Sequence, residues 1–182
     1  MIKLIATDID GTLVKDGTLI INPEYMTVIS KLIDKGIIFT VCSGRQFSSE
    51  QKLFAPIKDK LMYITDGGTV VRTPDRILKT YPMSNELWKD MCRMVRDELP
   101  ACDYFAASPD LCYAEDGASP IFHRLRDSYG FEMREIDDLT KLENDDIIKF
   151  TVYHPDSCEE LTALHTCMER QSSCHIRRKR MG

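Results

Sequence analysis

The sequence predicts an α/β fold: a Rossmann-like, doubly wound parallel core followed by a smaller α+β unit. Three observations carry that prediction. Short, almost wholly apolar runs alternate with amphipathic stretches over residues 1–81, which is the strand–helix–strand order of a parallel sheet with right-handed crossovers. The second run, "IIFTVC" (37–42), is apolar nearly throughout, as in a strand covered on both faces. Each run also ends in a polar turn containing glycine, and the pattern changes near "YPMSNE" (81–86).

The elements follow in order. Residues 3–7 read as a buried strand. "LVKDGTLI" (13–20) reads as a hairpin, because Asp16-Gly17 suits the positive φ values of a tight turn. A helix is expected over about 23–35, capped by Asn22, started by Pro23 and closed by Gly36, with Tyr25, Val28, Ile29 and Leu32 as its apolar stripe. Residues 47–55 suit a short helix and "LMYIT" (61–65) a third strand, followed by a hairpin around "TPD". In the second unit, a helix over 86–99 presents Trp88, Met91, Cys92, Val95 and Leu99. "CDYFA" and "LCYAE" read as paired strands. Ser119-Pro120 opens a helix with Ile121, Phe122, Leu125 and Tyr129 inward and Gly130 as its stop. "IIKFTVY" (147–153) reads as a strand, and Ser157 to Glu160 as the capping box of a last helix. The expected domains are 1–81 and 82–182, with a basic tail at 171–182.

Composition narrows the function. A net charge of −5 and 43% hydrophobic residues describe a chain that folds and has no broad attraction for nucleic acid or anionic membrane. No apolar run reaches the roughly 20 residues of a membrane span. Seven cysteines, an odd number without a CxxC, and four histidines without HxxxH spacing argue against a zinc site and for reduced thiols in a cytoplasmic protein.

The chemistry concentrates where the strands end. In open parallel sheets, ligands bind beyond the carboxyl ends of the strands. Asp8 and Asp10 follow the first run, Ser43, Gly44 and Arg45 the second, and Asp66 and Gly67 the third. Two close carboxylates need a cation or a shared proton, and a hard cation such as Mg²⁺ fits Asp8 best. Gly11 lets backbone amides turn toward phosphate oxygens, Ser43 adds a hydroxyl, and Gly44 permits close approach. One carboxylate can attack phosphorus while the other moves protons. A calcium loop counted from Asp8 fails, because Leu13 and Leu19 stand where Gly and Glu are required. Arg45 reads equally as a substrate contact or an outward salt bridge, and Asp66-Gly67 equally as a site contact or a plain turn. Cys42 has no histidine in its turn to activate it and is assigned to strand packing. Tyr81, Trp88 and Phe122 are assigned to packing rather than substrate contact.

"DIDGTL" at the end of an apolar strand resembles the first motif of the haloacid dehalogenase-like phosphatases, and "VCSGR" their second. The first hairpin is similar to their flap. "ITDGG" with its hairpin, followed by an α+β cap from residue 82, resembles the Cof-type subgroup, in which Asn-Gly commonly replaces Asp66-Gly67. The resemblance implies Mg²⁺-dependent hydrolysis of a small phosphorylated metabolite through an aspartyl-phosphate. It makes Asp8 the nucleophile and a metal ligand, and Asp10 the general acid/base and a metal ligand through its carbonyl. Gly11, Ser43 and Gly44 then hold phosphate, and Arg45, Asp66 and Gly67 lie toward the substrate. A phosphomutase of the same fold and a non-catalytic, metabolite- or partner-binding remnant are the alternatives.

The sequence departs from the family pattern in one way: the Asn-Lys-Gly and Gly-Asp-x-x-Asn-Asp motifs that follow the cap in the family do not occur in it. The expectation is a chain cut within or just after the cap, weakly active or inactive in isolation. Its first strand then lies at a sheet edge that a homo-oligomer would cover.

Overall fold

The computed structural model describes residues 2–15, 18–143 and 146–154. Its first sheet holds β1 (Leu4–Thr7), β2 (Ile38–Cys42), β3 (Met62–Thr65), β4 (Val70–Arg72) and β5 (Ile77–Thr80), in that order across the sheet. The first three strands are parallel, with Thr7 opposite Val41 and Cys42 opposite Ile64. This register brings the carboxyl ends of β1, β2 and β3 to one edge, where the three expected turns begin. β4 and β5 pair antiparallel, as the hairpin around "TPD" predicts.

Between these strands run α1 (Pro23–Asp34) and α2 (Phe47–Leu53). Asn22 caps α1 by accepting the Glu24 amide, Pro23 occupies its first turn, and Gly36 closes it at φ +80°. The face of α1 turned to the core differs from the expected stripe. Ile29 is buried, with Met26, Leu32 and Ile33 packed half-buried beside it, whereas Tyr25 and Val28 are exposed. The apolar surface of α1 is wider than the sheet beneath it covers, because β1 is the outermost strand among the described residues. Leu4 on β1 and Ile38 on β2 are more than half exposed for the same reason. The described strands therefore run in one direction from β1, and the reversal of a doubly wound sheet is not among them.

The expected hairpin over 13–20 is also revised. Residues 13–15 and 18–20 form no paired strands, and the local order is a turn closed by a single bridge between Asp10 and Val14. The Ile9 carbonyl accepts the Thr12, Leu13 and Val14 amides, which curls the chain instead of extending it. Asp16-Gly17 lies outside the described residues, as do the helix expected from Ser157 and the basic tail.

The second sheet runs β8-β7-β6-β9 and contains β6 (Asp103–Ala107), β7 (Cys112–Ala114), β8 (Met133–Glu135) and β9 (Lys149–Tyr153). On one face, Trp88 and Cys92 of α3 (Asn85–Glu98) pack with Ala106, Tyr113, Leu139 and Ile147. On the other, α4 (Pro120–His123) continues as a π-helical turn over Arg124–Ser128. Ile121, Phe122, Leu125 and Tyr129 pack there against Phe105, Cys112 and Ile148, together with Val70 of β4. Ser84 and Ser119 cap α3 and α4, each cap contributing about 1 kcal/mol. β8 is not foreseen by the sequence: it has three mostly polar residues, and pairing with β7, not an apolar pattern, makes it a strand.

Candidate active site

Beyond the end of β1 the two acids, two residues apart, differ in exposure. Asp8 is exposed, Ile9 is fully buried as an anchor, and the Asp10 side chain turns inward at 8% exposure. Gly11 follows with φ +78°, a value that favours glycine. Its amide donates to the Val14 carbonyl at 2.8 Å. In this conformation Gly11 serves the turn, and contact of its amide with phosphate requires that bond to yield.

The second and third turns are sewn together by main-chain bonds. The Ser43 amide donates to Ile64, prolonging the β2–β3 ladder. The Gly67 amide donates to the Ser43 carbonyl at 3.0 Å, and the Asp66 amide to the Arg45 carbonyl at 2.9 Å. Asp66 is the one non-glycine described residue at positive φ, +52°. Ser43 Oγ accepts the Arg45 amide at 3.1 Å. A hydroxyl used in this way keeps its own proton to donate.

Arg45 takes neither of the positions expected for it. Its side chain is 2% exposed and forms a fork on Asp10, Nε to Oδ2 at 3.0 Å and Nη2 to Oδ1 at 2.7 Å. Nη2 also donates to the Thr18 carbonyl, and the guanidinium lies 5.2 Å from the Tyr129 ring centroid. The fork fixes the orientation of the largely buried Asp10 carboxylate. Each carboxylate oxygen has two lone-pair positions, so a fork does not by itself prevent proton transfer.

Three contributors escaped the sequence reading. Lys149 of β9 donates from Nζ to Asp66 Oδ1 at 2.8 Å and to the Gly44 carbonyl at 3.1 Å. Gln46, fully buried, accepts the Glu132 amide at 2.6 Å and donates to the Glu132 carbonyl, so it pairs with main chain of the second sheet's segment as a strand would. Glu50 of α2 is fully buried, and neither of its carboxylate oxygens has a hydrogen-bond partner among the described residues. Burial, and next the charge of Asp66, push its carboxyl well above the usual range, with Arg45 opposing. A signal existed for Glu50, an acid on the inward face between Phe47 and Leu53; none existed for Lys149.

Cys42 is half-buried, and its thiol is pushed up by burial first and then by Glu50 and Asp8. That disfavours the thiolate, the form a nucleophile needs. Trp88 and Phe122 are buried, and Tyr81 is exposed. Among the described residues, no group of three or more His, Cys, Asp or Glu side chains is gathered to hold a metal ion. The donor chemistry at the end of β1 still suits Mg²⁺: an exposed carboxylate and main-chain oxygens, with water and substrate phosphate supplying the rest. Both Asp10 carboxylate oxygens accept from Arg45.

The profile of the haloacid dehalogenase-like hydrolases matches residues 5–175. The chain belongs to this family. It is 26% identical over 147 residues to the 5-amino-6-(5-phospho-D-ribitylamino)uracil phosphatase YbjI of Escherichia coli K12, covering 79% of this chain and 52% of that protein. It is 32% identical over 87 residues to the phosphatase YwtE of Bacillus subtilis 168, named for the same compound, covering 48% of this chain and 30% of that protein. A crystal structure from Eubacterium rectale superposes with a TM-score of 0.82 at 76% identity, over 93% of this chain and 64% of that one. The chain thus spans about half the length of the Escherichia coli relative. The shared fold of the haloacid dehalogenase-like hydrolases accounts for the parallel sheet with its turns on one edge. No helix among the described residues is long and apolar enough to cross a membrane.

Proposed function

We propose that the protein is a Mg²⁺-dependent, Cof-type phosphatase that hydrolyses a phosphate monoester of a small metabolite through an aspartyl-phosphate on Asp8. One observation carries the reading: hydrogen bonds join the turns after β1, β2 and β3 along one edge, with Asp8 exposed and Asp10 forked to Arg45. An Asp8 oxygen attacks phosphorus, and the bond from phosphorus to the leaving alcohol oxygen breaks. Asp10 gives that oxygen a proton, then takes one from the water that attacks phosphorus and releases Asp8 with inorganic phosphate. The Ser43 hydroxyl and the Gly44 amide hold the transferring phosphoryl group. Mg²⁺, held by Asp8 and the Asp10 carbonyl, neutralises phosphate charge when bound. The second sheet acts as the cap over this edge, with the boundary near residue 82.

The compound named for both bacterial phosphatases, 5-amino-6-(5-phospho-D-ribitylamino)uracil, is the first substrate candidate. A cytoplasmic setting goes with a metabolite substrate and with the unpaired thiols of Cys42, Cys92, Cys102 and Cys112. The test is Mg²⁺-dependent release of inorganic phosphate from an aryl phosphate. Asp8→Asn is expected to lower turnover by at least about 10³-fold; turnover indifferent to Asp8→Asn sinks the mechanism. Isomerisation of a sugar phosphate without phosphate release would mark a mutase instead.

A further inference from the structure

We propose that Lys149 is a positioning residue that sets the Ser43 hydroxyl from the second sheet, acting through a single peptide plane. The inference rests on the phosphatase reading for the task assigned to Ser43. The Gly44 carbonyl and the Arg45 amide belong to the same peptide unit, which is rigid. Lys149 Nζ holds the carbonyl end at 3.1 Å, and the amide end donates to Ser43 Oγ at 3.1 Å. Turning that plane therefore moves the donor that fixes the hydroxyl. The far side of the lysine is anchored on Asp66 Oδ1 at 2.8 Å, and the Asp66 carboxylate is fully buried. Asp66 is in turn locked by its own amide on the Arg45 carbonyl, so the lysine closes a ring that runs through Gly44, Arg45 and Asp66. Ser43 Oγ accepts from the Arg45 amide and keeps its one proton to donate, and the plane aims it. A shift of β9 by a bound ligand thereby reaches the phosphoryl group without any contact between Lys149 and phosphate.

Lys52 supplies the control. It also joins the two sheets, donating to the Gly130 carbonyl at 2.8 Å and to Glu132, but it touches no residue of the phosphate turn. The experiment combines Lys149→Met, Lys149→Arg, Ser43→Ala, the Lys149→Met/Ser43→Ala pair and Lys52→Met, with two readouts. The first is kcat for an aryl phosphate. Lys149→Met is expected to lower kcat about 10- to 100-fold in the parent and less than about twofold in the Ser43→Ala background, with partial rescue by arginine. Equal losses in both backgrounds overturn the proposal. The second is hydrogen exchange at the Arg45 amide, which needs no catalysis. Lys149→Met is expected to speed it about tenfold or more, while Lys52→Met leaves it unchanged. Unchanged exchange in Lys149→Met overturns the proposal whether or not the protein hydrolyses phosphate. A parent protein without turnover, but with faster exchange in Lys149→Met, overturns the phosphatase reading and upholds the coupling.

Discussion

Each sheet carries an arginine bound to acids, and the two operate under opposite conditions. Arg45 and Asp10 are 2% and 8% exposed, whereas Arg96 of α3 is 33% exposed and its partners Glu115 and Asp138 are 20% and 22% exposed. Arg45 has one carboxylate, one carbonyl and an aromatic face. Arg96 has two carboxylates and the Tyr104 hydroxyl, which itself donates to Glu115. The Arg96 network ties α3 to the end of β7 and to the turn at Leu139–Lys141, where Asp138 also accepts from Thr140. It has acceptors to spare and water at hand. Arg45 joins the turn after β1 to the turn after β2 and is sealed from solvent. The same chemistry therefore serves as a replaceable staple in one place and as an irreplaceable part in the other, and burial makes the difference.

Arg45→Met tests that contrast at its largest. It leaves the Asp10 carboxylate inward-facing without its fork, and a broken buried pair costs about 3–5 kcal/mol. Denaturant unfolding is expected to show that loss, with phosphatase activity falling in parallel. Arg45→Lys keeps the charge but not the planar fork, and is expected to fall between the two. If Arg45→Met destabilises less than Arg96→Met, burial is not what separates the forks.

Glu50 sharpens the contrast, since it is a buried acid with no hydrogen-bonded partner among the described residues. Its carboxyl is raised in the folded protein, first by burial and then by Asp66. The folded state therefore holds a proton that the unfolded chain releases. Stability is full below the usual carboxylate range and declines as pH rises toward the raised value. Glu50→Met removes the group. The stability of the variant relative to the parent is expected to grow with pH by up to about 1.4 kcal/mol per unit across that window. Thermal melts in steps from about pH 4 to about pH 8 read this directly; parallel curves for the two proteins would show that Glu50 does not titrate with folding.

How far the sequence revealed these features follows the same physical line. The parallel strands, the caps at Asn22, Ser84 and Ser119, and the inward faces of α3 and α4 are written locally, in apolar period and capping chemistry. The placing of Asp8, Asp10, Ser43 and Asp66 on one edge is legible because strand ends in a parallel sheet share an edge. The destination of Arg45 could not be found, because its partner lies 35 residues away and both outward and inward positions satisfy a lone cation. Lys149 lies 83 residues from Asp66 and sits in a run that reads as ordinary strand. On α1, Ile29 and Leu32 of the expected stripe face the core while Tyr25 and Val28 do not, because periodicity shows that a helix is amphipathic but not how much of its apolar side a neighbour covers. Over 13–20 the sequence offers turn residues without the alternation that pairing strands need.

The smallest effect belongs to the half-exposed network. Asp138 is held well below the usual carboxylate range, chiefly by its bond from Arg96 and then by Thr140. Its contribution to stability is present above that range and is lost as pH falls through the lowered value, the opposite slope to that of Glu50. Removing Arg96 strands two carboxylates, yet both already see water, and solvent screening limits what their pairing is worth. Arg96→Met is therefore expected to cost on the order of 1 kcal/mol in dilute buffer, less in about 1 M salt, with kcat for an aryl phosphate unchanged. A salt-independent loss as large as that of Arg45→Met would mean that the network is shielded as a unit, and that the number of partners rather than burial governs how much an arginine fork matters in this fold.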